Sequence, residues 1–531
     1  MSDPAIRDRR PRGLPPTRAA ARPLVLLLAL SLGAAVPARP ASSRAAAAET
    51  SPAALDAGAR AAAPGPVPRI VNGLPTQDFP AAAALLDRAT GLQLCSAVLA
   101  GCSTVLTAAH CVCSGIGAEC QPGGPALAHA AELEVFLAHA GFFSVESIAV
   151  QPAFRFGIRD DIAVLRLSEP VEGVTPSPLN SVARLPHGTT AEIVGFGLAT
   201  ESIFDNGIKR AGGIVTGPCT VVPGDEYVCW EFDQPLGPPG TDANTCSGDS
   251  GGPLYFDFGS GPLLAGIGSG GVNANCQPDD LPFDAEVFSN LAEIAALAGP
   301  DVGAAECGEL PAAGGPGALQ VLRAGELAQG ETADFAFQVP AGARALRVGL
   351  NAEEGLLFND FDLALGRSGP PGPGTVECSS MREGTYEFCE VLDPAAGAWN
   401  ARVTAAIGGG AFQLTTTILR EADLGPCVPG PHVLCIDDAP EDGRFQAEIA
   451  FDTSQAGGLA GLGNAVDLDP LGITSGGIFW FFNQENPEVL LKVLDGCEVN
   501  GHYWVFWSAG TNVRLVVTVT DRRTARQRVY A

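Results

Sequence analysis

Basic residues are scarce in this chain. Against 59 Asp and Glu stand 31 Lys and Arg, giving a formal charge of −28 at pH 7. Ten of the basic residues, all Arg, and four of the acids fall in residues 1–69, so residues 70–531 hold 21 basic and 55 acidic groups. A surface of that sign repels phosphate backbones and anionic lipid headgroups, and neither nucleic acid nor a membrane surface is an expected partner. Long apolar runs are also missing. Residues 24–36 form the longest, too short to span a bilayer comfortably, and no other segment reaches the roughly 18 residues of a membrane helix. Zinc-type CxxC pairs are absent, and Cys111-Val112-Cys113 lacks the companions such a site needs, so no metal and no cofactor is expected. A helical period of any length is missing beyond residue 319, which argues against bundles.

What is abundant is Gly, with 66 residues, and Pro, with 43, about a fifth of the chain. Together with a hydrophobic fraction of 46% this describes folded, loop-rich β-structure, and 531 residues suggest about three domains. Fifteen cysteines, several closely spaced, point to disulfides made in an oxidising compartment, and their odd number leaves one to be free, lost or paired outside the chain. The amino-terminal Arg-rich stretch, the apolar run and the small residues ending at Ala38 have the order of a secretory signal peptide over residues 1–38; an uncleaved anchor is the other reading. The expected location is secreted, extracellular or periplasmic, with no membrane span after signal removal. Residues 39–69, rich in Ala, Pro and Arg, are read as a propeptide or disordered linker.

From Ile70 to about residue 300, short apolar runs alternate with Gly, Pro and Asp turns, the pattern of a β-barrel or sandwich, and residues 291–297 read as a short terminal helix. Residues 301–318 read as a flexible linker. Further β-patterns cover residues 319–420 and 427–531. The chemistry lies in the first of these regions. Gly248-Asp249-Ser250-Gly251-Gly252-Pro253 sets a hydroxyl among glycines whose N–H groups can approach an oxyanion. A hydroxyl needs a base, which His110 can supply at the end of an apolar run, and an orienting carboxylate, for which Asp161 stands ahead of Ile162-Ala163-Val164-Leu165. Each fragment alone has a bland reading as turn, core histidine or strand cap; their joint order is what points to nucleophilic catalysis.

With Ile70-Val71-Asn72-Gly73, Thr107-Ala108-Ala109-His110-Cys111, Asp161-Ile162-Ala163-Val164-Leu165 and the 248–253 motif in this order, residues 70–300 resemble the trypsin and chymotrypsin-like serine proteases. The resemblance implies an all-β fold class, a two-barrel domain acting on protein or peptide substrates, here with two C-terminal β-sandwich-like modules. It implies Ser250 as nucleophile, His110 as base and then acid, Asp161 as orienting carboxylate, and the Gly248 and Ser250 N–H groups as oxyanion hole. It also implies a zymogen, cut after Arg69 by an activating protease or by itself, whose new Ile70 amino group pairs with Asp249. Bridges Cys95 to Cys111, Cys219 to Cys229 and Cys246 to Cys276 follow from the family, while Cys102, Cys113 and Cys120 are additional, with one more local bridge expected among them.

The resemblance weakens at the specificity pocket. Asn244 and Thr245 occupy the floor, where trypsin itself has an acid, and Ser269 and Gly271 form an open wall without the usual Trp. Aligning Val287-Phe288 with the family's closing strand puts Glu286 near the floor, to attract a basic side chain or simply to be solvated. Residues 319–420 resemble the bacterial pre-peptidase C-terminal domain through Phe337-Gln338-Val339-Pro340, Asp360-Phe361-Asp362-Leu363 and Gly397-Ala398-Trp399, with Cys378 and Cys389 as a plausible bridge. Asp360 and Asp362 read as turn caps ahead of calcium ligands. Residues 427–531 resemble a module of secreted bacterial proteins, with Phe479-Trp480-Phe481-Phe482, Trp504-Val505-Phe506-Trp507 and His502 read as packed ahead of a binding face. The expected function is a secreted serine endopeptidase. A catalytically silent binding or adhesion protein is the alternative, and an esterase is disfavoured because its elbow motif places the His last.

Overall fold

The computed structural model describes residues 70–531 except 200–203, 234–236, 260, 274–275, 305–306, 316, 357, 373, 422–423, 438–442, 454–458, 497–501, 524–525 and 531. The stretches expected to be signal peptide and propeptide, residues 1–38 and 39–69, therefore lie outside the described residues, as does Cys497. Strands dominate, and no described helix is long and apolar enough to cross a membrane.

The first barrel closes in the order Ala82–Asp87, Gln93–Leu99, Thr104–Thr107, Ala163–Leu167, Gly141–Val150 and Leu133–Leu137. Its strands are short, apolar and buried on both faces, as Ala82–Asp87 and Thr104–Thr107 show. Small residues such as Ala83, Ala84 and Ala97 allow the tight curvature of six strands around Leu85, Val98, Leu106, Val135 and Leu165. The second barrel runs Arg210–Gly217, Tyr227–Trp230, Phe283–Glu286, Pro262–Gly270, Pro253–Asp257 and Thr190–Gly195, and pairing of the last with the first closes it. The helix Leu291–Ala298 follows, and its end is fastened to the first barrel by Arg166, which donates to the Ala298 carbonyl at 2.6 Å and to Asp301 at 3.1 Å.

The expected flexible link is instead tied down. Ala313 donates to the Gly173 carbonyl at 2.8 Å and packs with Ala345 and Leu419, while Cys307 is bridged to Cys102, 205 residues away in sequence. Turn-rich composition concealed this because its anchors are distant in sequence.

Two four-stranded sheets follow, Leu319–Leu327, Gly410–Arg420, Ala343–Ala352 and Tyr386–Leu392 facing Thr332–Val339, Gly397–Ile407, Asp360–Arg367 and Val376–Ser380. Phe361, Leu363, Trp399, Phe412 and Leu414 fill the space between them. A last pair of sheets is built on Phe445–Asp452 with Arg514–Asp521, and on Val489–Gly496 with His502–Ala509. Here the aromatic runs divide: Phe479 and Phe481 are buried, whereas Phe482, Phe506 and Trp507 are exposed, so reading them all as core holds only in part. Asp360 accepts the Gly384 N–H at 3.1 Å, a turn-fixing contact.

Seven disulfides use fourteen of the fifteen cysteines: Cys95 to Cys111, Cys102 to Cys307, Cys113 to Cys120, Cys219 to Cys229, Cys246 to Cys276, Cys378 to Cys389 and Cys427 to Cys435.

Candidate active site

Strand register brings the first two chemical residues together. Thr107 pairs with Ala163 across the antiparallel strands Thr104–Thr107 and Ala163–Leu167. His110 stands three residues beyond one strand end and Asp161 two before the other, so both emerge at the same rim. His110 Nδ1 lies 2.8 Å from Asp161 Oδ2, and the His110 backbone N–H donates to Asp161 Oδ1 at 3.0 Å. Ser269 Oγ adds a third donor to Asp161 Oδ2 at 2.5 Å. Asp161 is fully buried, and three donors replace the water its charge has lost. An imidazole held through Nδ1 keeps Nε2 for exchanging a proton with a hydroxyl. Phe156 packs edge-on against the His110 ring at a centroid distance of 5.0 Å.

Ser250 comes from the second barrel, just ahead of the strand Pro253–Asp257. Its carbonyl accepts the Ser96 N–H at 2.8 Å and lies 3.6 Å from Cys111 Sγ, beside His110. The nucleophile candidate is thus pinned against the first barrel by its own backbone. Among the described residues neither the Gly248 nor the Ser250 N–H donates to a protein acceptor. Asp249 is buried between them, accepting from Gly197 N at 2.7 Å and Cys246 N at 2.9 Å. Burial pushes its carboxyl up to about 7, with those two donors and the Arg210 guanidinium pulling it back.

A cavity of about 150 Å³ opens beside Ser250, with Thr245, Ser269, Gly271 and Asp280 among its walls. Asn244 stands behind it, buried, donating to Asp280 Oδ2 at 3.0 Å. Asp280 escaped the sequence reading. Its Oδ1 collects the N–H groups of Val272, Asn273 and Leu281 at 2.9, 2.8 and 2.8 Å, and in sequence it is merely one of two adjacent acids in a loop.

Glu286 is not in this cavity, and its placement at the pocket floor is corrected. The strands Pro262–Gly270 and Phe283–Glu286 run antiparallel with Phe283 opposite Gly270 and Glu286 opposite Gly266, so Glu286 lies at the end remote from the cavity rim. There it is buried and paired with Arg184 at 2.8 Å, lining a separate cavity of about 420 Å³. A second buried acid, Asp284, sits between the two ends of that strand; burial pushes it up to about 8.

The arrangement of two barrels with this His, Asp and Ser at their junction agrees with the comparisons to known proteins. The family model described as Trypsin matches residues 70–292. Residues 70–292 form a trypsin domain. The model described as Bacterial pre-peptidase C-terminal domain matches residues 331–405, the middle of the sandwich that follows. Similar curated proteins are the mouse vitamin K-dependent protein C, 31% identical over 224 residues, and the fruit fly trypsin iota, 28% identical over 200 residues. The first match covers 39% of this chain and 47% of that relative, the second 35% and 71%. The chain therefore spans about half the length of the former.

Proposed function

We propose that the protein is a serine endopeptidase in which Ser250 attacks the substrate carbonyl, His110 takes and returns the proton, and Asp161 holds the imidazole. The observation that carries this reading is the buried Asp161 carboxylate, engaged by the His110 ring, the His110 N–H and Ser269 together. The N–H groups of Gly248 and Ser250 serve as the oxyanion hole, whose donors act without reorganising at the moment of reaction.

The chain is read as a zymogen cut between Arg69 and Ile70. Support comes from Ile70, buried in the core of the second barrel, and from Asp249, whose raised carboxyl ionises readily once an ammonium is brought beside it. The side chain preceding the scissile bond is read as basic, because the cavity beside Ser250 carries the Asp280 carboxylate in its wall. Seven disulfides support an extracellular location.

The test is fluorophosphonate labelling of the full chain before and after limited proteolysis, with the labelled residue and the new N-terminus located by mass spectrometry. Label on Ser250 only in chains beginning at Ile70 supports both catalysis and activation. Correctly cleaved, folded protein that takes no label overturns the reading.

A further inference from the structure

The sandwich is not an appendage hung on a linker; it grips residues 204–209 and Gln93, which in turn bond the backbone around the oxyanion donors. Gly207 of the trypsin domain has φ +105°, and a Cβ there would stand 2.1 Å from the Ala352 carbonyl, so only glycine permits this approach. Around it Asn351 Nδ2 donates to the Gly207 carbonyl at 2.7 Å, Gly355 N to the Phe204 carbonyl at 2.9 Å, and Gln413 bonds both the N–H and the carbonyl of Lys209 at 2.8 and 2.9 Å. The segment gripped in this way passes its hold on: Gly207 N donates to the Phe196 carbonyl, and Gly197 N in turn donates to Asp249.

A second route is shorter. The Gly248 carbonyl accepts Gln93 Nε2 at 2.9 Å and Ser96 Oγ at 2.8 Å. Gly248 has φ +93°, open to glycine, and the two donors on its carbonyl hold the peptide that joins it to Asp249, next to the Cα whose N–H is the oxyanion donor. Gln93 is itself set by the sandwich. Its backbone N–H donates to the Glu354 carboxylate, and its Oε1 lies 3.5 Å from the Tyr386 hydroxyl and from Asn206 Nδ2. An amide can present either end. With two donors facing Oε1, the end left for the Gly248 carbonyl is Nε2.

We propose that the sandwich positions the oxyanion loop in cis: Glu354 and Tyr386 fix Gln93, and Gln93 fixes the Gly248 carbonyl and so the backbone on the C-terminal side of the oxyanion N–H. Gln93, Glu354 and Tyr386 are positioning residues and touch no substrate. The inference rests on the proposed protease reading, and the consequence is that hydrolysis depends on residues 261 and 293 positions beyond Gln93 in the chain, at 354 and 386.

The experiment uses the full chain processed to begin at Ile70, a fluorogenic peptide and a fluorophosphonate. Gln93→Ala is expected to lower kcat and the labelling rate by about 10-fold with KM within about twofold, because the loss falls on the oxyanion and not on the substrate cavity. Glu354→Ala gives a comparable loss, Glu354→Gln restores most of it by keeping the acceptor, and the Gln93→Ala, Glu354→Ala double variant is no slower than Gln93→Ala alone. Arg382→Ala, which removes a contact to Glu134 elsewhere on the same interface, leaves kcat within about twofold. Folded Gln93→Ala protein with the parent's kcat, or losses that add in the double variant, overturns the proposal. A parent chain that takes no label overturns the protease reading instead, so the two failures are told apart.

Discussion

His110 and Asp161 meet twice, through the ring at 2.8 Å and through the His110 backbone N–H at 3.0 Å. A carboxylate that binds both the backbone and the ring of one histidine fixes the side-chain rotamer as well as the tautomer. Asp161→Asn presents an amide N–H to one of these donors and disfavours the required tautomer. The expected outcome is a kcat reduced by about 10³ to 10⁴ with a folded chain, and Ser269→Ala reduced by about 10-fold through the lost third bond. Steady-state kinetics beside circular dichroism checks both; an Asp161→Asn enzyme within tenfold of the parent rejects the role.

Substrate choice separates Asp280 from Glu286. Asp280 walls the cavity beside Ser250, while Glu286 is neutralised by Arg184 in another cavity. Asp280→Asn is expected to reduce kcat/KM for substrates with Arg or Lys before the scissile bond by about 10² relative to those with Leu, the scale of a lost buried charge interaction. Glu286→Gln leaves that ratio unchanged. Profiling a peptide library with both variants decides it, and the reverse pattern would restore Glu286 as the selector.

Burial holds the Asp284 carboxyl up to about 8, against about 3.9 in an unfolded chain. Between these values the folded chain retains a proton that the unfolded chain has released. The stabilising contribution is therefore full below about pH 4 and is lost as pH rises toward 8. Asp249, pushed up to about 7 by burial, acts with the same sign. In an uncleaved Ser250→Ala background, Asp284→Asn is expected to gain in Tm relative to the parent steadily from pH 4 to pH 8. A Tm difference that is flat across this range contradicts the assignment.

The bridge between Cys102 and Cys307 spans 205 residues and fastens the stretch leading out of the trypsin domain to the first barrel. Replacing both cysteines by serine is expected to cost about 2 to 4 kcal/mol on unfolding, and to expose residues 301–318 to proteolysis. Denaturant titration with protease nicking reads both effects. Unchanged stability and an unchanged digest would show that the contacts of Asp301 and Ala313 hold the segment without the bridge.

Much of the trypsin domain was legible in the residues because its chemistry is local. The motifs around His110, Asp161 and Ser250 each lie within a few residues, and short apolar runs broken by Gly and Pro mark strands wherever they occur. Phe479 and Phe482, by contrast, belong to one aromatic run and end in opposite environments, buried and half exposed. Composition cannot tell these apart, since the face a strand presents depends on which sheet it joins.

The β-rich class, the identity of the candidate catalytic groups and the use of disulfides can be read from the residues, since these depend on residue type and near spacing. Which acid walls the cavity follows from the folded chain, because strand register carries Glu286 away from Ser250 while a loop 36 residues from Asn244 brings Asp280 in. The folded chain alone decides that Gln93 stands between the sandwich and Gly248, a relationship between residues 155 and 261 positions apart that no local pattern encodes. Contacts at that separation are set by how finished sheets dock, and docking is settled by the fit of whole surfaces.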